Sequence, residues 1–170
     1  MLLLDEDCKI LKINKTGLLF SNQTVENVMN KRLGESLKCV NSAKNNICGN
    51  NDACDSCPFQ MVIKETIKTN APHSVESEFS FLDEKKDVEK FISISACIAS
   101  SNPYKTILLT INDLTEQHNA LKSLEKSEQK FRHFVENIGE VLWIFDIDKD
   151  RIVYLSPLYE KMMDKSRDDI

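Results

Sequence analysis

Glycine and proline are scarce in this chain, four of each among 170 residues. That scarcity excludes collagen-like repetition and Pro/Gly-rich disorder. The glycines stand singly at 17, 34, 49 and 139, so there is no glycine-rich nucleotide loop, and no Gly-Lys-[Ser/Thr] occurs. No stretch approaches the roughly 18 uncharged apolar residues that a membrane span needs. Positive charge is not in excess: 22 lysines and arginines against 27 aspartates and glutamates leave a net charge of −5. A nucleic-acid binder working by bulk positive charge is thereby excluded. The opening Met1-Leu2-Leu3-Leu4 has no basic flank and meets Asp5 at once, so it is not a signal peptide. What remains is ordinary for a globular chain, with 41% hydrophobic and 29% charged residues. The length suits one domain, or one and a piece of another. Six cysteines without a secretory signal read as reduced thiols or metal ligands rather than a disulfide frame.

Three zones follow one another. In 1–113, Leu2-Leu3-Leu4 and Ile10-Leu11-Lys12-Ile13 flank the acidic Asp5-Glu6-Asp7, the signal of a hairpin. Asn14 can cap a short helix carrying Leu18, Leu19 and Phe20. Residues 24–47 are polar, with helical hints at Val25, Val28 and Met29. Phe59, Met61, Val62, Ile63 and Ile67 suit one buried face of a helix over about 57–68, with Pro58 in its first turn. Strands are predicted at 74–82, 90–99 and 106–112, with turns at 83–87 and at Ser101-Asn102-Pro103. Two strands, short helices and three strands make an α+β order with a five-stranded antiparallel sheet, not a βαβ repeat.

The second zone, 114–137, lacks glycine and proline and is filled with lysine and glutamate. Asp113 as N-cap and Glu116 at N3 predict an acidic capping box at its start. Leu121, Leu124, Phe131 and Phe134 recur as in a short two-stranded coiled coil, an amphipathic connector, or a plain surface helix. The third zone, 138–170, repeats the opening of the first. Trp143-Ile144-Phe145-Asp146 and Arg151-Ile152-Val153-Tyr154-Leu155-Ser156 match the two opening strands, and Pro157 suits a first helical position. Such a copy, stopping after its first helix, has an open sheet edge and half a core. It is expected to be poorly stable unless something covers it.

These features together resemble tandem PAS (S-box) sensor domains. Asp113-Leu114-Thr115-Glu116-Gln117 is similar to the D-[IL]-T-E-[RQ] junction at which PAS domains pass into a signalling helix. Residues 127–138, Ser-Glu-Gln-Lys-Phe-Arg-His-Phe-Val-Glu-Asn-Ile, resemble the opening of a following PAS domain, and Tyr154-Leu155-Ser156-Pro157 through Glu160 its second strand and first helix. The resemblance implies a PAS-like sensor domain over 1–113 with a cysteine-rich insertion at 39–57, a helical coiled-coil linker over 114–137, and a truncated second PAS domain over 138–170. It implies a cytoplasmic input module, most often of a sensor histidine kinase, with Asp113, Leu114, Thr115 and Glu116 as signal relay. Its partners would be a second copy along helix 114–137 and a downstream output domain, with neither nucleic acid nor membrane contacting this segment. With the first strand opening at the start of the chain and the second domain stopping at its end, the sequence is expected to be a fragment or a gene product clipped at both ends. The flavin run G-x-N-C-R-F-L-Q is absent, and no histidine falls in 24–67, where a haem ligand would be expected by analogy. His118 lacks the acidic neighbour and downstream proline of a phospho-accepting histidine and reads as a solvated helix residue, like His73 and His133.

Cys39, Cys48, Cys54 and Cys57 lie within 19 residues as C-x8-C-x5-C-x2-C. Thiolates suit zinc or an iron–sulfur cluster. Asn45, Asn46, Gly49, Asn50 and Asn51 supply turns around Cys48. Cys54 and Cys57 stand before a predicted helix, whose dipole favours thiolate. The segment reads as a metal site, as a redox switch in which Cys54 and Cys57 form a disulfide, as inert thiols, or least readily as a thiol oxidoreductase. Cys8 and Cys97 read as small apolar residues. Nothing pairs a nucleophile with a base, so the chain is expected not to be an enzyme. The expected function is a module sensing redox state, a metal or a small ligand and relaying it through the helix. The alternative is a static dimerisation module with a structural zinc.

Overall fold

Local signals decide the first elements. In the computed structural model, which describes residues 1–45, 48–49, 52–83, 86–100 and 104–164, Leu2–Leu4 (β1) and Ile10–Ile13 (β2) pair as an antiparallel hairpin. Its turn is closed by the Asp5 carboxylate, which accepts from the Asp7 and Lys9 amides at 3.0 and 2.8 Å. Cys8 takes the left-handed conformation there, with φ 62°. Asn14 caps the helix Lys15–Ser21 (α1), its side chain accepting from the Gly17 amide at 2.9 Å. Gly17 is required: a Cβ there would stand 2.7 Å from Ile13 Cγ1.

Short helices follow at Val25–Val28 (α2), Leu33–Ser36 (α3) and Val40–Asn45 (α4), then a 3-10 turn at Asp52–Cys54 and the helix Pro58–Thr69 (α5). Pro58 occupies the first turn of α5, where its missing N–H costs nothing. The remaining strands are His73–Asp83 (β3), Lys86–Ser100 (β4) and Thr106–Asp113 (β5). β4 starts four residues before the apolar alternation does. Its polar Lys86-Asp87-Val88-Glu89 stays in the ladder because each residue has a partner in β3. Parts of the predicted turns, residues 84–85 and 101–103, and Asn46, Asn50 and Asn51 lie outside the described residues.

The sheet order is β2-β1-β5-β4-β3, antiparallel throughout. Leu2, Leu4, Ile10, Ile92, Ile94, Ala96, Ile107 and Leu109 form its buried face, covered by Val28, Leu33, Leu37, Phe59, Val62 and Ile63. The fold is therefore α+β: the five-stranded antiparallel sheet expected from the PAS resemblance, with short helices and a long helix after the sheet. α5 is fastened by its buried Thr66, whose hydroxyl donates to the Ala96 carbonyl at 3.4 Å.

The long helix is Thr115–Asn137 (α6), and beyond it lie Trp143–Asp146 (β6), Arg151–Leu155 (β7) and Leu158–Met163 (α7). The chain divides into two compact units, Met1–His118 and Asn119–Ile170. In the second, β6 and β7 form a two-stranded hairpin. Pro157 sits at the N-cap of α7, one position before its expected place. Ser156 is buried; its amide donates to the Leu142 carbonyl at 2.8 Å and its hydroxyl accepts from the Leu142 amide at 3.0 Å, so its side chain is engaged ahead of the hairpin while its carbonyl accepts from the Tyr159 amide of α7. The later apolar positions of α6 serve this unit: Val135 is buried, and Phe131 packs edge-on against Tyr154 at 5.6 Å. Leu121 and Leu124 stay exposed at 61% and 58%. No helix among the described residues is long and apolar enough to cross a membrane.

The hairpin leaves Trp143, the only tryptophan, 58% exposed. Its fluorescence is expected to be readily quenched by acrylamide, though less fully than that of free indole in water. A quencher-resistant tryptophan would show that another surface covers β6–β7.

Candidate functional site

A cavity of about 510 Å³ lies over the β3 edge of the sheet, bounded by α3, α4 and the start of α5. That is within the roughly 300–1,000 Å³ of small-ligand sites. Cys39, Cys48, Cys54 and Cys57, predicted from the sequence as a group, all line it. So does Cys8, expected from the sequence to be only a small apolar residue. The hairpin turn brings Cys8 there: its carbonyl accepts from the Leu33 amide at 3.2 Å, and Lys9 bridges to Arg32. Cys97 lies elsewhere, in β4 opposite Leu108. Among the described residues no lysine, arginine or histidine lines the cavity, whereas Glu78 and Asp87 do. The lining thus suits a neutral or cationic thiophilic guest and opposes an anionic one.

Backbone contacts hold Cys39, Cys48 and Cys57 in place. Cys39 is buried; its amide donates to the Gly34 carbonyl at 2.7 Å, and it forms an isolated bridge with Phe81. Cys48 is fixed by Arg32, whose Nη1 donates to the Cys48 carbonyl at 2.8 Å. Gly34 is needed beneath it, since a Cβ at 34 would come within 2.7 Å of Cys48 Sγ. Cys57 is the N-cap of α5.

The expectation that the helix start favours thiolate fails at Cys57. Burial pushes its thiol up, and the Gln60 and Phe59 amides only partly oppose this. Burial likewise raises Cys8, against the pull of Arg32. Cys48 is pushed up to about 11, chiefly by burial, although the Gly34 amide donates to its sulfur. These three are neutral thiols at pH 7. Among the described residues no three or more cysteine, histidine, aspartate or glutamate side chains are grouped so as to hold a metal ion. The donor chemistry suits zinc or an iron–sulfur cluster, but the sulfurs as placed do not form a ligand set.

The predicted relay residues meet at the far end of β4 and β5. Asp113 does not act as N-cap. It is still paired with Ile92 in the ladder, so the helix begins two residues later and Glu116 falls at its second position. Asp113 instead accepts from the Thr115 amide at 3.1 Å and from its hydroxyl, and Lys90 Nζ stands 2.7 Å from its other oxygen. Partial burial works against ionisation of Asp113, but Lys90 and Thr115 hold its carboxyl below the usual carboxylate range. Thr115 ties the helix start to β4 instead: its hydroxyl accepts from the Phe91 amide at 3.1 Å, while the Leu114 amide donates to the Phe91 carbonyl at 2.8 Å.

His118 is not a solvated residue. Its ring stacks on Phe91 with centroids 3.8 Å apart and planes at 11°, and its Nε2 is buried without a hydrogen-bond partner. His133 is exposed, and His73 shares a 2.7 Å hydrogen bond with the Thr69 hydroxyl.

The cavity and the junction share strand pairs. Glu78 and Phe79 line the cavity, and their partners across the ladder are Phe91 and Lys90. A chain of rings joins them as well. Phe59 of α5 packs on Phe79 at 4.9 Å, Phe79 on Phe81 at 4.8 Å and Phe81 on Phe20 at 5.2 Å, and Lys90 Nζ lies 4.8 Å over the Phe20 ring.

No family model matches the chain, and no curated protein does. Three solved structures are similar to it. A PAS domain from a two-component sensor histidine kinase shares 10% identity over 66% of this chain and 81% of its own, with a TM-score of 0.44. The PAS domain of BvgS from Bordetella pertussis shares 14%, over 76% and 86%, with a TM-score of 0.48. The PAS domain of histidine kinase ThkA shares 17%, over 66% and 95%, with a TM-score of 0.38.

The raised Cys48 value sets a pH dependence. The folded state keeps this thiol neutral, so its stabilising effect is complete below its ordinary value of 9.0 and is lost as pH rises towards about 11. Urea midpoints of reduced protein are expected to fall across that window, and less steeply in Cys48→Ser. Parallel curves for the two proteins would contradict the assignment.

Proposed function

We propose that this chain is the input module of a signalling protein, with the thiol-lined cavity as detector and the β4–β5 end as the route into α6. One observation carries the reading: the cavity residues Glu78 and Phe79 are the ladder partners of Phe91 and Lys90, which hold the start of the helix. A shift of β3 is therefore felt within one strand spacing at the junction.

The detecting event is convergence of the sulfurs. Dispersed as they stand, they bind no ion together, so a thiophilic metal stabilises only an arrangement in which they have closed in. This difference in affinity is what a ligand needs to shift a conformational equilibrium. Oxidation of Cys54 and Cys57 would draw thiols together in the same sense. Two electrons and two protons then leave to a two-electron oxidant such as hydrogen peroxide as the disulfide forms. In either case Cys57 moves as the N-cap of α5, and Phe59 carries the movement to Phe79 and the ring chain.

The output end follows the same logic. α6 presents Leu121 and Leu124 to a second copy, and its pairing would pass the shift to an output domain such as a histidine kinase. The second unit reads as the opening of another domain of the same kind, its hairpin repeating β1–β2. A static dimerisation module with structural zinc would share the sulfurs but not the response.

The test uses the chain purified without oxygen and also fused to a histidine-kinase output. The expected results are bound zinc or iron in the wild type, none in the variant with alanine at Cys39, Cys48, Cys54 and Cys57, and kinase output that changes on metal removal or oxidation. Asp113→Ala is expected to abolish that change while leaving the first unit folded, since the half-exposed ion pair contributes about 0–1 kcal/mol. One tightly held zinc with an output indifferent to its removal would favour the static module. A four-alanine variant that responded like the wild type would overturn the reading.

A further inference from the structure

β4 is gripped from both faces of the sheet where its ladder with β5 ends, at Ile92 and Asp113. Alternation puts Lys90 and Ile92 on one face and Phe91 on the other. Lys90 reaches Asp113 and the Phe20 ring on the first face. On the second face Phe91 lies under His118, the last residue of the first unit. The first turn of α6 is therefore fastened to the sheet by a ring stack as well as by the Thr115 and Leu114 hydrogen bonds.

The histidine is an odd choice for this stack. Its Nε2 is removed from water yet meets no partner. A buried polar atom without a hydrogen bond opposes the contact that buries it. A phenylalanine would cover Phe91 as well without that opposition.

We propose that His118 is a positioning residue of the relay, a deliberately weak clamp that fastens the first turn of α6 to Phe91 and lets it go. The ring provides the hold, and the unmatched nitrogen limits it. The role in signalling rests on the input-module reading above; the clamp itself does not, because it is tested in the resting, reduced protein.

The test is amide hydrogen exchange of the full chain, followed for residues 115–121, with the amides of β1 as an internal control for folding of the first unit. His118→Ala is expected to speed exchange in 115–121 by about three- to tenfold, the range that one aromatic pair supports. His118→Phe is expected to slow it by about threefold or more relative to wild type, because the ring is kept and the unmatched nitrogen is gone. Phe91→Leu is expected to match His118→Ala, and the double variant to be no faster than either single one. Exchange unchanged in His118→Ala, or His118→Phe exchanging as fast as wild type or faster, would overturn the clamp. Should His118→Ala expose the β1 amides too, His118→Phe decides alone. If the clamp is confirmed but wild-type exchange ignores oxidation and metal, the input reading fails and the clamp stands.

Discussion

The antiparallel ladder of β4 is the constraint on which the rest depends. It pairs with β3 on one side and β5 on the other, so a displacement of the cavity's edge strand reaches it directly across the ladder. Its period of two gives it two jobs. Ile92, Ile94 and Ala96 point into the core and fix the strand against α5, while Phe91 points out and receives the helix. Register does the rest: pairing of Glu78 with Phe91 and of Phe79 with Lys90 is what makes cavity and junction neighbours. A slip of one residue would exchange the two faces and separate them.

Electrostatics and burial divide the labour. Among the described residues no basic side chain lines the cavity, and three of its thiols are kept neutral, while Glu78 and Asp87 supply its acidic groups. The junction is the reverse, a short ion pair between Lys90 and Asp113 half open to solvent, worth little to stability but fixed in direction by Thr115 and Phe20. A detector built from groups that must gather, and a relay built from weak directional contacts, are each suited to two states rather than one.

Much of the fold could be read in the sequence because its causes are local. The Leu2–Leu4 hairpin, the Asn14 cap, Pro58 at the start of α5 and the three closing strands each follow from a few adjacent residues. The site was legible only in part. Cys39, Cys48, Cys54 and Cys57 cluster in sequence, but Cys8 joins them through the docking of the hairpin turn on Leu33 and Arg32. His118 looked solvated because its cover, Phe91, comes from another strand. An aromatic beside Ile92, and so on the outward face, was the available signal. Glu116 does not stand at N3, because pairing with Ile92 keeps Asp113 in the strand, and Thr115 ties the helix start to β4. In each case tertiary pairing, not local preference, decided the outcome.

The central claim is that thiol chemistry in the cavity is felt at the start of α6 through β3 and β4. Backbone amide chemical shifts before and after alkylation of the cavity thiols, with Cys97 replaced by serine, test it most directly. The account predicts shifts at Phe91 and at Thr115–His118, with the Trp143–Asp146 strand unmoved. Shifts confined to 39–57, with the junction amides unchanged, would contradict it.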